Sequence, residues 1–573
     1  MLQGNLYRWG ASALLLFAVA PRHAILPWRD TLHIVVGALC AWMLGVYLFA
    51  TPAYSADALY RPVVFYLSFI FAATRSEGEI KGLFRAGVLL AVLLVLIGFA
   101  QFYFGVLRLS INPQRAAGTF ITPNSFATAI NFALLPMIAL AATGRGGGLV
   151  LAGALWLFAG LQPTESRGGW IACAAGISLV AAYLGRAGLR VNRVPVRRLL
   201  IGLIAVAAIF WASTRIPWPM FSDGAAPFAS TLGDTVFSRG SSLRMDIYRV
   251  AADLIADRPV WGYGADMFRF LIEANKPPVL DIGHSFIFVH DDYLQIWLEF
   301  GIIGIGLLGI AAGVAGLRVW RSRGDSLTDP IPLCSGAALT TVFVHALVDF
   351  PLYLPIFLLC TGFCLGALAR RFEGERGVVI GVARPFPFAR AALAFAFLAW
   401  LAEPAAAELA GDRALNALLA GRLDSALYWQ SVARRLEPRN PAHYWTEGVI
   451  WRDQAIDAKD ATLAAKADVL FAEGMRNDPY QVANFLERAR FRRMHPELFG
   501  GRSESQVDDW TAQALRVRPY SQVVIAERAR ALDYLGRRAE AIEMVRNLVA
   551  KHPETDMARG LADEFGIARG GAS

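Results

Sequence analysis

Long apolar blocks fill the chain up to residue 402, and a mixture of apolar and charged positions follows them. A helix needs about 20 mostly apolar residues to cross a bilayer, so the pattern predicts an all-α polytopic membrane protein with about 11–12 transmembrane helices. The predicted spans are residues 9–20, 32–50, 62–74, 84–104, 125–142, 148–162, 169–185, 199–214, 293–317, 331–349, 352–369 and 389–402.

The segment 403–573 shows a helical pattern that prolines interrupt at regular intervals. Four of these prolines end predicted helices, with spacings of 41, 40 and 34 residues: Pro438, Pro479, Pro519 and Pro553. The last spacing equals the tetratricopeptide period, and the segment resembles degenerate repeats of that kind. Such repeats present a concave face, so we expect a protein partner there; a generic helical bundle is the alternative. The predicted domains are residues 1–402 and a soluble helical domain, 403–573.

The basic residues of the short loops indicate how the membrane helices are oriented. One set of alternating loops carries 19 Lys and Arg residues, and the opposite set carries 4. The basic set is predicted to be cytoplasmic, which leaves the long loop 215–292 and the segment after residue 402 outside. In a bacterial inner membrane, that side is the periplasm.

Composition narrows the possible functions. Only 18% of the residues are charged, the net charge is +9, and most Lys and Arg residues fall in short loops. These charges are read as topology signals, so nucleic-acid binding is not expected. The five cysteines lie in apolar segments without disulfide or zinc spacing. No metal site and no cofactor are predicted, and membrane lipids surround the first domain.

Polar residues gather at the outer ends of the predicted spans, where charged groups are costly and are therefore candidates for function. Five places stand out: 118–120 with 123–124, 166–169, 239–244, 290–293, and His345 with 349–351. All five are predicted to lie on one face of the membrane, which is more than scattered loop residues would give.

His290 is the predicted general base, because the ordinary pKa of histidine lies near neutrality and His290 stands where the external loop meets an apolar run. Asp291 or Asp292 either orients the imidazole or caps the following helix. His284 is the alternative base. His345 and Asp349 are spaced i, i+4 on one predicted helix face, so they are expected to pair near the site.

Three arginines are candidates for binding an anion. Arg167 begins a helix after a very short loop, and its guanidinium is suited to a phosphate. Arg239 precedes a helix N-terminus, itself a favourable anion site, and Arg244 follows on that helix. Snorkelling at the membrane interface explains Arg167 equally well. For Arg239 and Arg244 taken singly, an ordinary loop arginine is the favoured interpretation.

The run HDDYLQIWLEFGIIG, which begins at His290, resembles the histidine–asparagine–x–tyrosine–leucine–glutamine signature of the O-antigen ligase and O-antigen polymerase superfamily. Asp291 stands where asparagine is usual, and Tyr293 is the tyrosine of the signature. Four further elements resemble that family in the same order: GTFITPNSFA, TESRGG, the segment 239–264 and HALVDFPLYLP. The resemblance covers residues 60–370.

This resemblance implies a membrane-embedded glycosyltransferase of the GT-C-like helical kind that works without a metal. Its donor would be an undecaprenyl-diphosphate-linked oligosaccharide, with the diphosphate bound by Arg167, Arg239 and Arg244. His290 would deprotonate an acceptor hydroxyl, which attacks the anomeric carbon with inversion. The supporting residues would be Asp291, Asp292, Tyr293, Asn124, His345 and Asp349.

Two reactions share this donor and this site. A polysaccharide polymerase would transfer the glycan to another lipid-linked repeat unit, and an O-antigen ligase would transfer it to lipid A-core or to a protein hydroxyl. The repeat domain favours the polymerase, as a contact surface for an export or chain-length partner. A non-enzymatic polysaccharide transporter or scaffold is the alternative from another class, although transporters place their polar residues near the bilayer midplane.

Overall fold

The computed structural model describes residues 24–26, 30–49, 60–104, 115–120, 122–144, 147–186, 193–213, 239–280, 286–322, 329–371, 378–380, 406–438, 440–553 and 555–567. Within these ranges the chain is helical apart from one two-stranded ribbon, which confirms the predicted all-α class. The predicted spans 9–20 and 389–402 lie outside the described residues, and so does His284.

Ten helices correspond to the predicted spans that fall within the described ranges. Six of them are long and apolar enough to cross a membrane, and four contain shorter apolar segments, so the chain is a membrane protein. The helices are α1 (Thr31–Phe49), α2 (Tyr60–Ala73), α3 (Glu77–Phe104), α4 (Pro123–Ala142), α5 (Gly147–Leu161), α6 (Arg167–Arg186), α7 (Arg193–Ser213), α10 (Asp292–Arg321), α11 (Ile331–His345) and α12 (Pro355–Arg371).

Helix α4 lies at the centre of this bundle. It packs against α5, α6 and α11, while α2 packs against α12 and α1 against α10. Thr122 caps α4 by accepting from the backbone N–H of Ser125, and Pro123 occupies the first turn, where a proline costs no hydrogen bond. Helix α3 instead exposes five leucines, as expected of a lipid-facing helix: Leu83, Leu89, Leu90, Leu93 and Leu96.

Two contacts join the loops of the basic set at one end of the bundle. Strand β1 (Ala24–Leu26) pairs antiparallel with β2 (Val378–Ile380), and Asp30 forms an ion pair with Arg318. The ribbon is not predictable from the sequence, because neither short apolar run alternates clearly. Both contacts agree with the assignment of these loops to one side of the membrane.

Two helices lie between α7 and α10, in the loop 215–292 that is predicted to be external and is called the external loop for that reason. They are α8 (Arg239–Asp257), which the sequence predicts, and α9 (Phe268–Asn275). The turn 259–264 between them is bonded to α10 at a kink, where Gly301 has φ +67° and ψ −174°. The N–H groups of Tyr263 and Gly264 donate to the carbonyls of Leu298 and Glu299 at 2.9 and 3.0 Å. The external loop is therefore fastened to the helix that follows His290.

The chain after residue 405 forms a series of helices. They are α13 (406–419), α14 (Leu423–Leu436), α15 (Pro441–Ala458), α16 (Ala461–Asn477), α17 (Val482–Met494), α18 (Glu504–Val517), α19 (Gln522–Tyr534), α20 (Arg538–Lys551) and α21 (Asp556–Glu564). Consecutive helices from α14 onwards pack on one another. The tetratricopeptide resemblance and the domain boundary at residue 402 stay predictions.

Candidate functional site

His290 lies at the end of the external loop, two residues before α10 begins. Its φ is +63°, a left-handed conformation that is uncommon for a residue with a Cβ atom. The Tyr248 hydroxyl donates to the His290 carbonyl at 2.9 Å, and the imidazole packs edge-on against Phe350. The His290 side chain is 31% exposed, so a substrate can reach it.

The two aspartates after His290 make different contacts. Asp291 caps α10, because its carboxylate accepts from the N–H groups of Tyr293 and Leu294 at 2.9 and 3.0 Å. Burial raises the pKa of the Asp291 carboxyl, and these two hydrogen bonds oppose the rise. Asp292 is fully buried and accepts from the N–H of Leu352 at 2.7 Å. Both aspartates thus hold the backbone around α10.

The carboxylate beside the His290 imidazole belongs to Asp349. One Asp349 oxygen lies 3.5 Å from His290 Nδ1, and the other lies 4.0 Å from His345 Nε2. His345 Nδ1 is 2.6 Å from the Thr128 hydroxyl, so this second histidine is tied to α4. Burial alone would raise the pKa of Asp349, but the adjacent His290 imidazole and the nearby His345 and Arg244 bring it below its ordinary value. Asp349 is therefore held as a carboxylate.

Asp349 does not lie on the helix that carries His345, contrary to the i, i+4 prediction. Helix α11 ends at His345, and turns follow it to Asp349. The cause is tertiary: the Ala346 carbonyl, which a longer helix would use, accepts from the Asp292 N–H at 2.8 Å. The Tyr293 hydroxyl likewise donates to the Phe343 carbonyl at 2.7 Å. The end of α11 is thus bonded to the start of α10.

Two of the predicted arginines lie at this end of the bundle. Arg244 donates from Nη1 to the Val348 carbonyl at 3.2 Å, next to Asp349. Arg167 is the first residue of α6, and the following Gly168 packs so closely that an added Cβ would lie 2.5 Å from His345 Nε2. The side chain of Arg239 lies outside the described atoms, although its backbone begins α8.

Arg115 joins this cluster, although it is not among the site residues predicted from the sequence. Its Nε donates to the Thr164 carbonyl at 2.8 Å, and its Nη2 donates to the Asn124 side chain at 3.3 Å. Burial lowers the pKa of Arg115, and the cations Arg167 and Arg244 lower it further. A signal was present, because Arg115 is one of few basic residues in the loops predicted to be external.

Glu165 faces the same group. Burial raises the pKa of the Glu165 carboxyl, and Arg115 opposes that rise. The residue has a left-handed φ of +49° and closes the turn between α5 and α6. Arg115 therefore lies within electrostatic range of two other arginines, Arg167 and Arg244, and of two carboxylates, Glu165 and Asp349. Such a surplus of guanidinium groups beside a partly exposed histidine is suited to binding an anion next to a base.

Comparison with known families agrees with this arrangement. Residues 152–309 match the family model described as O-antigen ligase. The matched range contains the positions of Arg167, Arg239, Arg244 and His290. No curated protein matches the chain. The chain is thus a membrane protein whose residues 152–309 are similar to the O-antigen ligase family, and this similarity supports a glycosyltransferase-like role.

Proposed function

We propose that the protein transfers a glycan from an undecaprenyl-diphosphate-linked donor to an acceptor hydroxyl at the periplasmic face of a bacterial inner membrane. One observation carries the proposal: Arg244 contacts the turn that holds Asp349 beside His290, and the charges of Arg167, Arg244 and Asp349 all act on the nearby Arg115. A glycosyl transfer of this kind needs a base for the acceptor and cations for the departing diphosphate.

In the proposed reaction, His290 takes the proton of the acceptor hydroxyl. The hydroxyl oxygen forms a bond to the anomeric carbon, and the bond from that carbon to the diphosphate oxygen breaks with inversion. Undecaprenyl diphosphate leaves with the bonding electron pair. Arg115, Arg167 and Arg244 offset its growing charge, and Arg239 is proposed as a further contact on the strength of the family resemblance.

The favoured acceptor is another lipid-linked repeat unit, which makes the protein a polysaccharide polymerase. The helices after residue 405 support this choice as a surface for an export or chain-length partner. The second candidate is an O-antigen ligase acting on lipid A-core or a protein hydroxyl, and the description of the matched family favours it. Both reactions use the same donor and the same proposed site.

Site substitutions test the enzymatic role. We expect His290→Ala and Arg167→Ala to abolish surface polysaccharide in a strain that depends on this gene. Arg249→Gln is the control, because Arg249 is an exposed arginine paired with Asp246 on the outer surface of α8. Normal polymer with both site variants would refute catalysis and support a transporter or scaffold.

Deletion of the gene separates the two reactions. A polymerase mutant should accumulate single repeat units on undecaprenyl diphosphate, and a ligase mutant should accumulate long chains on the same lipid. The orientation is tested by fusing alkaline phosphatase after residue 573, where an external C-terminus gives an active fusion. An inactive fusion with normal expression would overturn the periplasmic placement.

A further inference from the structure

Gln295 occupies the first turns of α10 and is fully buried. Its Oε1 accepts from the backbone N–H of Val289, the residue before His290, at 3.0 Å. Its Nε2 donates to Glu299 Oε1 at 3.1 Å, one helical turn further along. The side chain of Gln295 therefore connects the backbone that leads into His290 to the interior of the protein.

Glu299 is also fully buried, and it continues this connection. Its second oxygen accepts from the Tyr353 hydroxyl at 2.9 Å. The guanidinium of Arg61 lies 4.5 Å above the Tyr353 ring and pairs with Asp266 at 3.1 Å. Tyr353, which follows the turn at Asp349, thus holds Glu299 in place. Arg61 connects Tyr353 in turn to Asp266 in the external loop.

The kink at Gly301 isolates these first turns of α10 from the rest of the helix. An added Cβ at Gly301 would lie 1.8 Å from the Val260 carbonyl oxygen, so only glycine permits this approach. The N–H of Ile302 donates to the Pro259 carbonyl at 2.9 Å. The segment 291–300 is therefore a short separate unit, fixed at one end by the external loop and at the other by Asp291.

His290 needs such support because its backbone conformation is strained. A left-handed φ persists in a residue with a Cβ only where its surroundings determine it. Two side chains determine it here: Tyr248 binds the His290 carbonyl, and Gln295 binds the preceding N–H. The backbone conformation of His290 sets the direction of its imidazole. The contact between the imidazole and Asp349 therefore depends on the hydrogen bonds made by Tyr248 and Gln295.

We propose that Gln295, held by Glu299, is a positioning residue that fixes the left-handed turn at His290 and thereby aims its imidazole at Asp349 and the acceptor. This inference rests on the proposed role of His290 as the base. It goes beyond that role because it assigns to the buried pair Gln295–Glu299 the task of keeping the base in place.

The two side chains offer a reciprocal exchange as the test. Gln295→Glu alone puts two carboxyl groups 3.1 Å apart in a buried place, where like charges are costly. In the double variant Gln295→Glu/Glu299→Gln, residue 295 still accepts from Val289, and residue 299 donates to it and accepts from Tyr353. All three hydrogen bonds are therefore retained. Only the bond between residues 295 and 299 changes, because residue 299 is now the donor and residue 295 the acceptor.

The readouts are polysaccharide output in cells and binding of undecaprenyl diphosphate to purified protein. We expect Gln295→Met, which keeps the shape and loses the bonds, to lower output at least tenfold while affinity for undecaprenyl diphosphate changes less than twofold. Gln295→Glu should behave similarly, and the double exchange should restore output. Gln430→Met is the control, because Gln430 is a buried glutamine bonded to the His443 backbone in α14–α15.

Normal output from Gln295→Met would overturn the inference, and so would an exchange variant that folds but stays inactive. Equal losses of binding and output would also overturn it, because they indicate a general collapse of the site. If Gln295→Met fails to accumulate in the membrane, the output of the double exchange variant decides whether the inference stands. Normal output from His290→Ala would instead refute the proposed function itself.

Discussion

Replacement of Asp349 by asparagine is the most informative single change, because it removes one charge and almost no volume. Asp349 is 5% exposed, and its oxygens face His290 Nδ1 and His345 Nε2. A carboxylate at His290 Nδ1 favours the neutral tautomer with the proton on Nδ1, which leaves Nε2 to accept a proton. It also stabilises the imidazolium formed when His290 takes that proton. Asparagine supplies neither effect reliably.

The size of the loss follows from the geometry. Two unit charges 3.5 Å apart attract by about 4.7 kcal/mol at an effective dielectric constant of about 20, which is an upper bound for this pair. At 3.5 Å the His290–Asp349 contact is not a formed hydrogen bond in this structure, but catalytic contacts of this kind tighten in the reacting complex. A hydrogen bond to a charged group then contributes about 1.5–3 kcal/mol. We therefore take the hydrogen-bond contribution, and not the larger coulombic figure, as the expected loss of transition-state stabilisation. At about 1.4 kcal/mol per factor of ten, Asp349→Asn should slow transfer roughly 10- to 150-fold.

The assay is the initial rate of transfer from purified lipid-linked donor, with affinity for undecaprenyl diphosphate measured in parallel. The rate should fall while the affinity changes little, since Asp349 acts on the base. Asp468→Asn is the control, because Asp468 is a buried carboxylate that accepts from Arg488 and Arg492 within the C-terminal helices. A rate within threefold of the wild type would refute the reasoning.

Asp349→Asn should also change how the stability of the folded protein depends on pH. The pKa of Asp349 is lowered in the folded protein by the contacts with His290, His345 and Arg244, which outweigh burial. In the unfolded chain the carboxyl titrates at about 3.9, so between the two values the unfolded state binds more protons. The stabilisation is present above about pH 4 and is lost as the pH falls through the folded pKa. Wild type and Asp349→Asn should therefore differ in unfolding temperature above pH 4 and converge below it.

Two other substitutions test the surroundings of the site. Arg115→Gln should weaken binding of undecaprenyl diphosphate by about tenfold or more, because a charge-assisted hydrogen bond contributes about 1.5–3 kcal/mol; unchanged affinity, equal to that of the Arg249→Gln control, would contradict its place in the anion site. Gly301→Ala should destabilise the protein by about 3 kcal/mol or more through backbone strain and overpacking. The matched control is Gly306→Ala on the same helix, where an added Cβ meets no atom within 4 Å, and equal unfolding temperatures for the two would contradict the proposed tight approach.

The sequence predicts the membrane helices well because each span is recognisable from its own composition. It does not predict their ends where tertiary hydrogen bonds decide them. Helix α11 reads as continuous to Asp349, but its Phe343 and Ala346 carbonyls bond to α10 instead of to a further turn. The kink at Gly301 has the same origin, since FGIIG reads as uninterrupted helix and only the turn 259–264 reveals why it bends.

Some residues of the candidate site are likewise predictable from the sequence, and others are found only in the structure. Motif positions identify His290, Arg167 and Arg244, because residue type and place at a span end are both visible in the sequence. Arg115 belongs to no span, and only its contacts with Thr164 and Asn124 bring it to the site. The choice among the carboxylates near His290 also needs three dimensions, because Asp291 and Asp292 follow it in sequence while Asp349 contacts its ring.

The helices after residue 405 contact the same external loop that carries Arg244. Helix α9 packs against α18, and the rings of Phe270 and Tyr480 lie 6.0 Å apart. Tyr480 also packs against the apolar cluster that includes the buried face of α8. A displacement of these C-terminal helices would therefore act on α8, and through it on Arg244 and on Tyr248, which holds the His290 carbonyl. A partner bound to the C-terminal helices would thus act on Arg244 and His290 through the packing of these helices against α8 and α9, without contacting either residue.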